Sequence, residues 1–444
     1  MSGTPGAAST TEPHPGTPPQ PQAPPPETAE PEVRYEPDDT GCQVSIVVSG
    51  QAVAILKALR LTMHLRGAPL PMAGIADVRT HPAHRRHGHA RRLFDATLAY
   101  MRQERYPVTL LFGISDFYWR FGYTPVLPEY EVSLPTPHAE RLSASLPTPE
   151  GATVRPARPT DIPDLLDLYA RASAGRTGTL QRQPSRFELE VKPDVESWWF
   201  HPRRYLLAEV GGRPAGYAVL SGDPSTFRVR EIAVPEEHLT RAGPALLATL
   251  AEEAVRRRLE RIRLPLPPDE PLLDLLRPLG YRVEITFPAN SGGMGRLIDL
   301  QALAEALTPA LAAQVAALPP QSRPGSLELV ALADDARAEP EARATLRWGP
   351  GRGAGGGAGS APPETRSRLS EWGDADPAED SSQLAGRAVR VALPPQGLCQ
   401  LLMGYRGIDE LRLHHPGAVT PDDLPTVRAL LPAGFPHMWA LDHF

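Results

Sequence analysis

Alternating apolar and polar positions predict a series of β-strands in the first third of the chain. The alternation favours strands over Gln43–Val48 and Ala52–Leu65, followed by a third strand that includes Ile75 and Val78. Pro82 should end this third strand, because proline has no N–H group for a sheet ladder. Apolar residues at helical spacing then predict a helix whose buried face carries Leu93, Phe94, Thr97, Leu98 and Met101.

The turn between this strand and this helix has the composition of an anion-binding loop. It has the sequence RRHGHAR over residues 85–91, in which Gly88 and Ala90 carry almost no side chain. A ligand could therefore approach the backbone closely, where the first N–H groups of the helix and the positive end of its dipole favour an anion. Arginines at both ends of the loop add positive charge. The pattern predicts a cradle for a pyrophosphate group.

A second motif, FYWRFGY over residues 117–123, follows about 30 residues after Gly88. The loop and this motif together resemble the acetyl-CoA loop and the closing helix and strand of GCN5-related N-acetyltransferases (GNAT). Their pairing resembles one branch in particular, the Eis (enhanced intracellular survival) aminoglycoside acetyltransferases. The resemblance implies an α/β (α+β) protein with two acetyltransferase folds in tandem, a sterol-carrier-like C-terminal domain, and acetyl-CoA as the co-substrate.

The resemblance also implies which residues contact the co-substrate. The edge of the third strand would pair with the pantetheine amides and polarise the thioester, the loop would hold the pyrophosphate, and a further contact would come just before the general acid. In that order, the implied residues are Val78, Arg79 and Thr80, then Arg86, His87, Gly88, His89, Ala90 and Arg91, and finally Gly113 and Ile114. The alternative is a basic surface turn on an ordinary α/β domain.

Four histidines, His81, His84, His87 and His89, lie in or beside the loop, and imidazole is a common metal ligand. However, the cluster brings no obvious Cys or carboxylate partner, and it follows a turn rather than one face of an element. We therefore predict no metal site.

The same resemblance implies the acid and the base of the transfer. Tyr118, the first tyrosine of FYWRFGY, matches the family's general acid, and a phenol is a suitable proton donor for a departing thiolate. Tyr123, the second tyrosine, is expected to pack rather than to react. The base of the Eis branch is the C-terminal carboxylate, here that of Phe444, which could also anchor a cationic amine. Asp442 and His443 are the alternative bases, and a frayed chain end would take neither role.

Composition divides the chain into four parts. Residues 1–32 are rich in Pro, Thr and Ala and are expected to be disordered. The first acetyltransferase domain is predicted over 33–150, the second over 151–297, and the third domain over 298–444 with a Gly-, Ala- and Ser-rich insertion at 349–383. Too little chain precedes the first strands for the two helices that usually stand there in this superfamily. The wall that these helices give the amine pocket is therefore not expected in its usual form.

The second domain is expected to be degenerate. Val229–Val234 stands where the cofactor strand should be and Pro244–Arg258 where its helix should be, but the basic loop between them is missing. Its expected role is to pack against the first domain. In the third domain, the pattern predicts strands at Leu327–Ala331, Ala344–Trp348 and Ala388–Leu393, and helices at Pro394–Gly404 and Pro421–Leu431.

Charge and composition narrow the range of functions. A net charge of −6 argues against nucleic acid as a partner and suits a cationic amine. No apolar run is long enough to span a bilayer and the N-terminus lacks a signal-peptide pattern, so we expect a cytoplasmic protein without membrane contact. Cys42 and Cys399 are expected to be ordinary thiols. Members of the Eis branch form hexamers, so the resemblance implies a homo-oligomer.

We therefore predict an acetyl-CoA-dependent N-acetyltransferase. Its acceptor would be a primary amine, aminoglycoside-like or another polycationic amine, that attacks the thioester directly. The alternatives are a non-catalytic GNAT-fold scaffold or binding protein, and a lipid carrier that acts through the third domain.

Overall fold

The computed structural model describes residues 30–138, 141, 150–182, 203–221, 228–337, 341–348 and 387–444. The predicted Pro-rich tail lies outside the described residues except for its last three positions. The predicted insertion at 349–383 also lies outside them.

The first part of the described chain forms a run of strands interrupted by one long helix. In chain order these are β1 (Glu32–Asp38), β2 (Gly41–Val48), β3 (Gln51–Leu65), β4 (Ala68–Thr80), α1 (His89–Gln103), β5 (Val108–Gly113), β6 (Thr124–Leu127) and β7 (Glu129–Pro135). The predicted strands and the predicted helix are confirmed, and all five apolar-face residues of α1 are buried. The exposed edge strand β1 was not predicted. The described residues before β3 form β1 and β2 and contain no helix.

The middle part of the described chain also runs from several strands into one long helix and further strands, with additional helices that the first part lacks. It contains β8 (Ala152–Pro156), α2 (Ile162–Ser173), β9 (Arg203–Val210), β10 (Arg213–Ser221), β11 (Arg228–Ala233), α3 (Leu239–Arg256), β12 (Arg261–Leu264), α4 (Leu273–Leu276), β13 (Arg282–Thr286) and β14 (Gly292–Leu297). As β4 leads into α1, so β11 leads into α3. The predicted strand and helix of the degenerate unit are therefore confirmed as elements.

The last part of the described chain is an α+β unit. It contains α5 (Leu300–Ala317), β15 (Ser326–Ala331), β16 (Ala342–Arg347), β17 (Ala388–Leu393), α6 (Pro395–Met403), α7 (Ile408–His414) and α8 (Leu424–Leu430). The strands form a sheet of order β16-β15-β17, with β15 and β17 parallel. The three predicted strands and both predicted helices are confirmed to within a few residues, whereas the short helix α7 was not predicted.

The first two units exchange strands. In the seven-stranded sheet, whose order is β1-β2-β3-β4-β5-β14-β6, the strand β14 lies between β5 and β6 although it comes after the second unit in sequence. In return, β7 lies between β12 and β13 of the second unit. Boundaries drawn along the sequence at 150 and 297 therefore do not follow the sheets, because each unit completes the other.

The seven-stranded sheet is covered on both faces. On one face α1 packs Leu93 and Phe94 against the strands β2 to β4. On the other face, Leu110 of β5 belongs to the same buried cluster as Leu303 and Leu307 of α5, so the third unit covers this side. No helix in the described part of the chain is long and apolar enough to cross a bilayer.

The strand exchange predicts that the first unit cannot fold by itself. A fragment of residues 30–150 lacks β14, so β5 and β6 lose their shared partner and β7 has no sheet to join. We expect this fragment to lack a cooperative thermal transition in circular dichroism. Co-expression with residues 151–444 should restore a complex in which a tag on one fragment retains the other. A monomeric, cooperatively folding 30–150 fragment would contradict the exchange.

Candidate active site

Two neighbouring parallel strands separate at the centre of the first sheet. β4 and β5 pair only from Met72 with Val108 to Ile75 with Leu111, and β4 then continues to Thr80. Among the described residues, this last part of β4 pairs with β3 alone. The strands therefore open a wedge in which one edge of β4 offers backbone N–H and C=O groups to a ligand.

A β-bulge turns β4 away from β5 at this point. Ala76 pairs with Lys57 and Arg79 pairs with Ile55, so two residues of β4 oppose a single residue of β3. Asp77, inside the bulge, has a φ of 54°, which is a left-handed conformation. The bulge lies between the paired and the unpaired part of β4, and local twist at a bulge re-aims the strand beyond it.

The basic loop leads from β4 into the first turn of α1. Gly88 precedes the helix with φ 80° and ψ 0°, a conformation that glycine adopts without strain. A Cβ atom at Gly88 would meet nothing within 4 Å, so the approach to the backbone is open. The first helical hydrogen bond in this turn is donated by the N–H of Arg92 to the Gly88 carbonyl at 3.1 Å. Helical geometry gives the amides of Ala90 and Arg91 no intrahelical acceptor, which makes them available to an anion.

Wedge and loop border one cleft of ≈ 970 Å³. Most of the predicted cofactor residues line it, namely Val78, Arg79, Thr80, Arg86, Gly88, His89, Ala90, Arg91 and Ile114. His87 and Gly113 are not among the lining residues. The described lining contains five arginines and no carboxylate, so its charge suits phosphate groups.

Tyr118 stands at the wall of this cleft. It opens a short helical turn, Tyr118–Phe121, which Gly122 ends in a left-handed conformation with its N–H bonded to the Trp119 carbonyl at 3.1 Å. The ring lies on Gly113, where an added Cβ would come within 2.8 Å of Tyr118 Cδ2. Gly113, predicted as a cofactor contact, thus also provides the space that the Tyr118 ring occupies.

The hydroxyl of Tyr118 is suited to proton donation. Partial burial raises its pKa, so the phenol remains protonated at neutral pH. Within the described residues no group hydrogen-bonds to this hydroxyl, which leaves it available to a ligand in the cleft. The ring is held by an edge-on contact with Phe94, with centroids 5.8 Å apart.

Tyr123 is a packing residue, as predicted. Its side chain is buried beneath α1 and its hydroxyl lies 3.3 Å from Thr109 Oγ1, which in turn donates a hydrogen bond to the Ala73 carbonyl at 2.7 Å. Burial raises the pKa of Tyr123 to about 12. The two tyrosines of one motif therefore differ, because only Tyr118 borders the cleft.

The end of the chain reaches the first sheet from the other side. The Phe444 ring lies against Gly74 of β4, where an added Cβ would be 2.7 Å from Phe444 Cε2. Its centroid is 5.7 Å from that of Phe112 on β5, and the His443 ring stacks on Phe112 with centroids 3.6 Å apart. Sequence reasoning did not identify Gly74 or Phe112 as partners of Phe444, and no local pattern marks them.

Tyr118 and Phe444 lie on opposite faces of the sheet at the same opening. Tyr118 packs with the core beneath α1, whereas Phe112 and Phe444 pack with the core shared with the third unit. Both contact β5 residues at its end, Gly113 in one case and Phe112 in the other. The Tyr118 ring and the Phe444 ring therefore approach the end of β5 from opposite faces of the sheet, at Gly113 and at Phe112.

The alternative base Asp442 is engaged elsewhere. It is buried, and its carboxylate accepts hydrogen bonds from Arg182 Nε at 2.8 Å and from the Tyr169 hydroxyl at 2.8 Å. Both of its oxygens are therefore occupied by buried donors, and Asp442 is not among the residues that line the cleft. His443 is exposed beside Phe112 and remains a possible base on geometry.

The second unit carries acidic residues where the first carries its basic loop. Glu236 and Glu237 lie at the junction between β11 and α3, and Glu237 Oε1 pairs with Arg171 Nη1 at 2.5 Å. Carboxylates near the start of a helix occupy the position that favours an anion. This arrangement disfavours a pyrophosphate there and agrees with the expectation of a degenerate unit.

The rings of the histidine cluster contact one another. Neighbouring rings among His81, His84, His87 and His89 have centroids 5.7 to 6.2 Å apart. His81 Nδ1 accepts a hydrogen bond from the Ala83 N–H at 3.3 Å, which caps the turn after Pro82. Across the described residues, no group of three or more His, Cys, Asp or Glu side chains has a geometry that could hold a metal ion.

Comparison with protein families agrees with this geometry. A model of the acetyltransferase (GNAT) domain matches residues 21–126, which include the basic loop and Tyr118. A model of the acetyltransferase (GNAT) family matches residues 176–281, in the second unit. The chain therefore carries two GNAT acetyltransferase domains in tandem, a fold that uses acetyl-CoA as the acyl donor. Comparison with curated proteins returned no match.

Solved structures share the arrangement over most of the chain. A probable N-acyltransferase of unknown function from Enterococcus faecalis is 16% identical, with 94% of this chain and 100% of that chain covered and a TM-score of 0.66. A GCN5-related N-acetyltransferase from Kribbella flavida is 21% identical, with 90% and 87% covered and a TM-score of 0.60. Eis1 from Mycobacterium abscessus is 17% identical, with 90% of each chain covered and a TM-score of 0.56. At such identities the likeness concerns the fold.

The charge of the first helical turn provides a test of the cleft. Ala90→Glu places a carboxylate in the first turn of α1, much as Glu236 and Glu237 lie just before α3 in the second unit, and an acidic residue in the first turn is favourable to helix stability. We expect calorimetric coenzyme A affinity to fall by at least about tenfold, with no loss of thermal stability.

Gln103→Glu is the matched control, because it adds the same charge to the last turn of α1, about 20 Å along the helix. Equal coenzyme A affinities for the two variants and the wild type would show that the cleft does not bind the phosphates.

Proposed function

We propose that the first unit transfers the acetyl group of acetyl-CoA to an amine. One observation carries the proposal: the unpaired edge of β4 and the basic loop border a cleft walled by Tyr118, and Phe444 ends the chain on the other face of the same sheet. A thioester held at the free edge of β4 would lie between the basic loop, which would bind its phosphates, and the end of the chain at Phe444. Direct attack by an amine requires that the thioester and the amine are held next to each other, which a thioester at this position would allow.

The cleft residues would bind and orient acetyl-CoA. The amides of the first α1 turn and the arginines of the loop would hold the pyrophosphate, and the free edge of β4 near Val78 would pair with the pantetheine amides. A backbone N–H at the same edge would polarise the thioester carbonyl as the tetrahedral oxyanion forms.

Proton transfer would use a group on each face of the wedge. The amine nitrogen attacks the carbonyl carbon, the C–S bond breaks, and the departing thiolate takes a proton from Tyr118. The nitrogen loses its proton to the Phe444 carboxylate, directly or through water, and His443 is the second candidate for this role.

The cysteines support transfer without an acyl-enzyme. Cys42 and Cys399 are both buried, and burial raises the pKa of Cys399 to about 12 and raises that of Cys42 as well. Neither lines the cleft. A protonated thiol enclosed by the core is a poor nucleophile, so the attack on the thioester would come from the substrate itself.

The acceptor would be a polycationic primary amine of the aminoglycoside kind. The net charge of −6 and the C-terminal carboxylate favour a cation. Likeness of fold to Eis1 adds support, and by the same analogy we propose a cytoplasmic homo-oligomer, a hexamer in the Eis pattern, with a sterol-carrier-like third domain. The alternative is a GNAT-fold scaffold, which would bind coenzyme A and acetylate no amine.

Removal of one hydroxyl tests the acid. Tyr118→Phe should lower kcat for an amine panel by roughly 10²-fold to 10⁴-fold and leave the calorimetric Kd of coenzyme A unchanged. Tyr123→Phe removes the same atom from a buried tyrosine and should affect thermal stability but not kcat. Equal losses of kcat in the two variants would contradict the assignment of Tyr118.

The pH profile provides a second measure of the same group. Since burial raises the pKa of Tyr118, its acid form persists through neutral and mildly alkaline pH, and kcat should show no loss from this group below about pH 10. In the acid range the rate should instead follow deprotonation of the amine and of the base.

Gly74 provides a test of the chain end. In Gly74→Ala the new Cβ would meet the Phe444 ring and Leu61 Cδ1, the far ends of flexible side chains, so the ring should move at small cost in stability. A displacement of about 1 Å at a reacting group should lower kcat by roughly 10²-fold, with coenzyme A binding preserved.

Gly417→Ala is the control, because a Cβ there would meet nothing within 4 Å. Extension of the chain by three alanines should reproduce the Gly74→Ala effect by moving the carboxylate away from Phe444. Unaltered kcat in both the variant and the extended chain would remove Phe444 from the mechanism.

A further inference from the structure

A buried ionic cluster joins the end of the chain to the second unit. The side chains of Arg182, Glu231 and Asp442 are 5%, 0% and 2% exposed. Arg182 donates to Glu231 Oε1 through Nη1 at 2.8 Å and to Asp442 through Nε at 2.8 Å and Nη2 at 3.0 Å. One guanidinium thus bridges a strand of the second unit and the C-terminal segment.

Two tyrosines complete the cluster. The Tyr169 hydroxyl donates to Asp442 Oδ2 at 2.8 Å, and the Arg182 guanidinium lies 3.8 Å from the centroid of the Tyr169 ring. The Tyr217 hydroxyl donates to Glu231 Oε1. Both oxygens of each carboxylate therefore accept a hydrogen bond from one of the buried groups.

Such a cluster fixes position more strongly than it adds stability. A buried ion pair gains little over apolar packing, but removal or displacement of one partner leaves an uncompensated charge in the core. Two carboxylates share one guanidinium here; burial raises the pKa of Glu231, while the neighbouring Arg182 guanidinium acts in the opposite direction. A shift of the C-terminal segment by one residue would break every contact of Asp442.

The cluster lies on the strand that corresponds to the cofactor strand of the first unit. Glu231 belongs to β11, which leads into α3 as β4 leads into α1, and the turn Ala440–Asp442 packs against β11. Trp439 and Leu441 are buried in the core of the same unit. The second unit therefore packs the C-terminal segment of the chain against the strand that corresponds to β4 of the first unit.

Only His443 separates this anchor from the chain end. Two residues of extended chain span at most about 7 Å, so the position of Asp442 restricts that of Phe444. The first unit then receives Phe444 at Gly74 and Phe112. The last three residues thus connect an ionic contact in the second unit with the wedge of the first.

We propose that Arg182 and Glu231 of the second unit are positioning residues, which hold Asp442 and thereby place the Phe444 carboxylate at the wedge of the first unit. The degenerate unit acts as a clamp for the base. This proposal rests on the role of Phe444 given under the proposed function.

The clamp has a readout that does not depend on activity. Asp442→Asn keeps the shape of the side chain and removes its charge, so we expect a carboxypeptidase selective for aromatic C-terminal residues to release Phe444 about tenfold faster than from the wild type. Asp409→Asn is the control, because it makes the same change in an ion pair with Arg428 that is more than half exposed on both sides. It should leave the release rate unchanged.

Kinetics then connect the clamp with the reaction. Asp442→Asn should lower kcat by about tenfold or more, with the Kd of coenzyme A unchanged, because the cleft is not altered. Insertion of one glycine between Asp442 and His443 leaves the cluster intact and lengthens the path to the carboxylate by about 3.5 Å. It should lower kcat without lowering the thermal midpoint.

The outcomes separate the two proposals. Equal rates of Phe444 release from Asp442→Asn and the wild type would overturn the clamp, as would full kcat after the glycine insertion. A wild-type protein that acetylates no amine would overturn the proposed function, and the release rates would still decide whether Asp442 holds the chain end. If Asp442→Asn does not fold, Tyr169→Phe removes a single hydrogen bond from Asp442 and should raise the release rate in the same direction.

Discussion

The separation of β4 from β5 after Ile75 is the constraint on which the site depends. Parallel strands normally continue to pair while both persist, and β4 persists for five residues beyond its last partner. Among the described residues, those five have no strand partner on the edge that faces away from β3, so their N–H and C=O groups there can pair with a ligand. The bulge at Asp77 makes the separation possible by turning β4 locally. The cleft, the loop and the approach of Phe444 all follow from this opening.

Different parts of the fold cover the two faces of the sheet beside the wedge. On one side α1 provides helical amides and a rigid seat for Tyr118, because Phe94 and Phe121 stack beneath it with centroids 4.2 Å apart. On the other side the third unit buries the sheet, and the chain end contacts β4 and β5 there through Phe444. Strand exchange joins the units into one body, since β14 supports β5 from its far edge. A ligand in the wedge would therefore be enclosed by parts of all three units.

Local chemistry could be predicted from the sequence, whereas contacts between distant segments could not. The loop at 85–91 and Tyr118 lie in continuous motifs whose glycines set turn conformations. A short segment of sequence is therefore sufficient to predict them. By contrast, β14 has the sequence GGMGRL, which has little strand propensity. It is a strand because Leu127 and Val126 of β6 approach within 2.7 and 2.9 Å of where Cβ atoms would stand on Gly293 and Gly295. Only glycine fits that space, and the local sequence does not show that β6 would lie beside β14.

Asp442 shows the same limit in the functional site. Asp442 lies two residues from the chain end, where the sequence makes it a catalytic candidate, yet its partners Arg182 and Tyr169 are 260 and 273 positions away in sequence. These contacts decide its role, since both of its oxygens accept hydrogen bonds from buried groups away from the cleft. The second unit thus has a structural role, the binding of Asp442, although the start of its helix is acidic at Glu236 and Glu237. An acetyltransferase fold without an anion-binding loop can still position another segment of the chain, because its strand order and core packing do not depend on that loop.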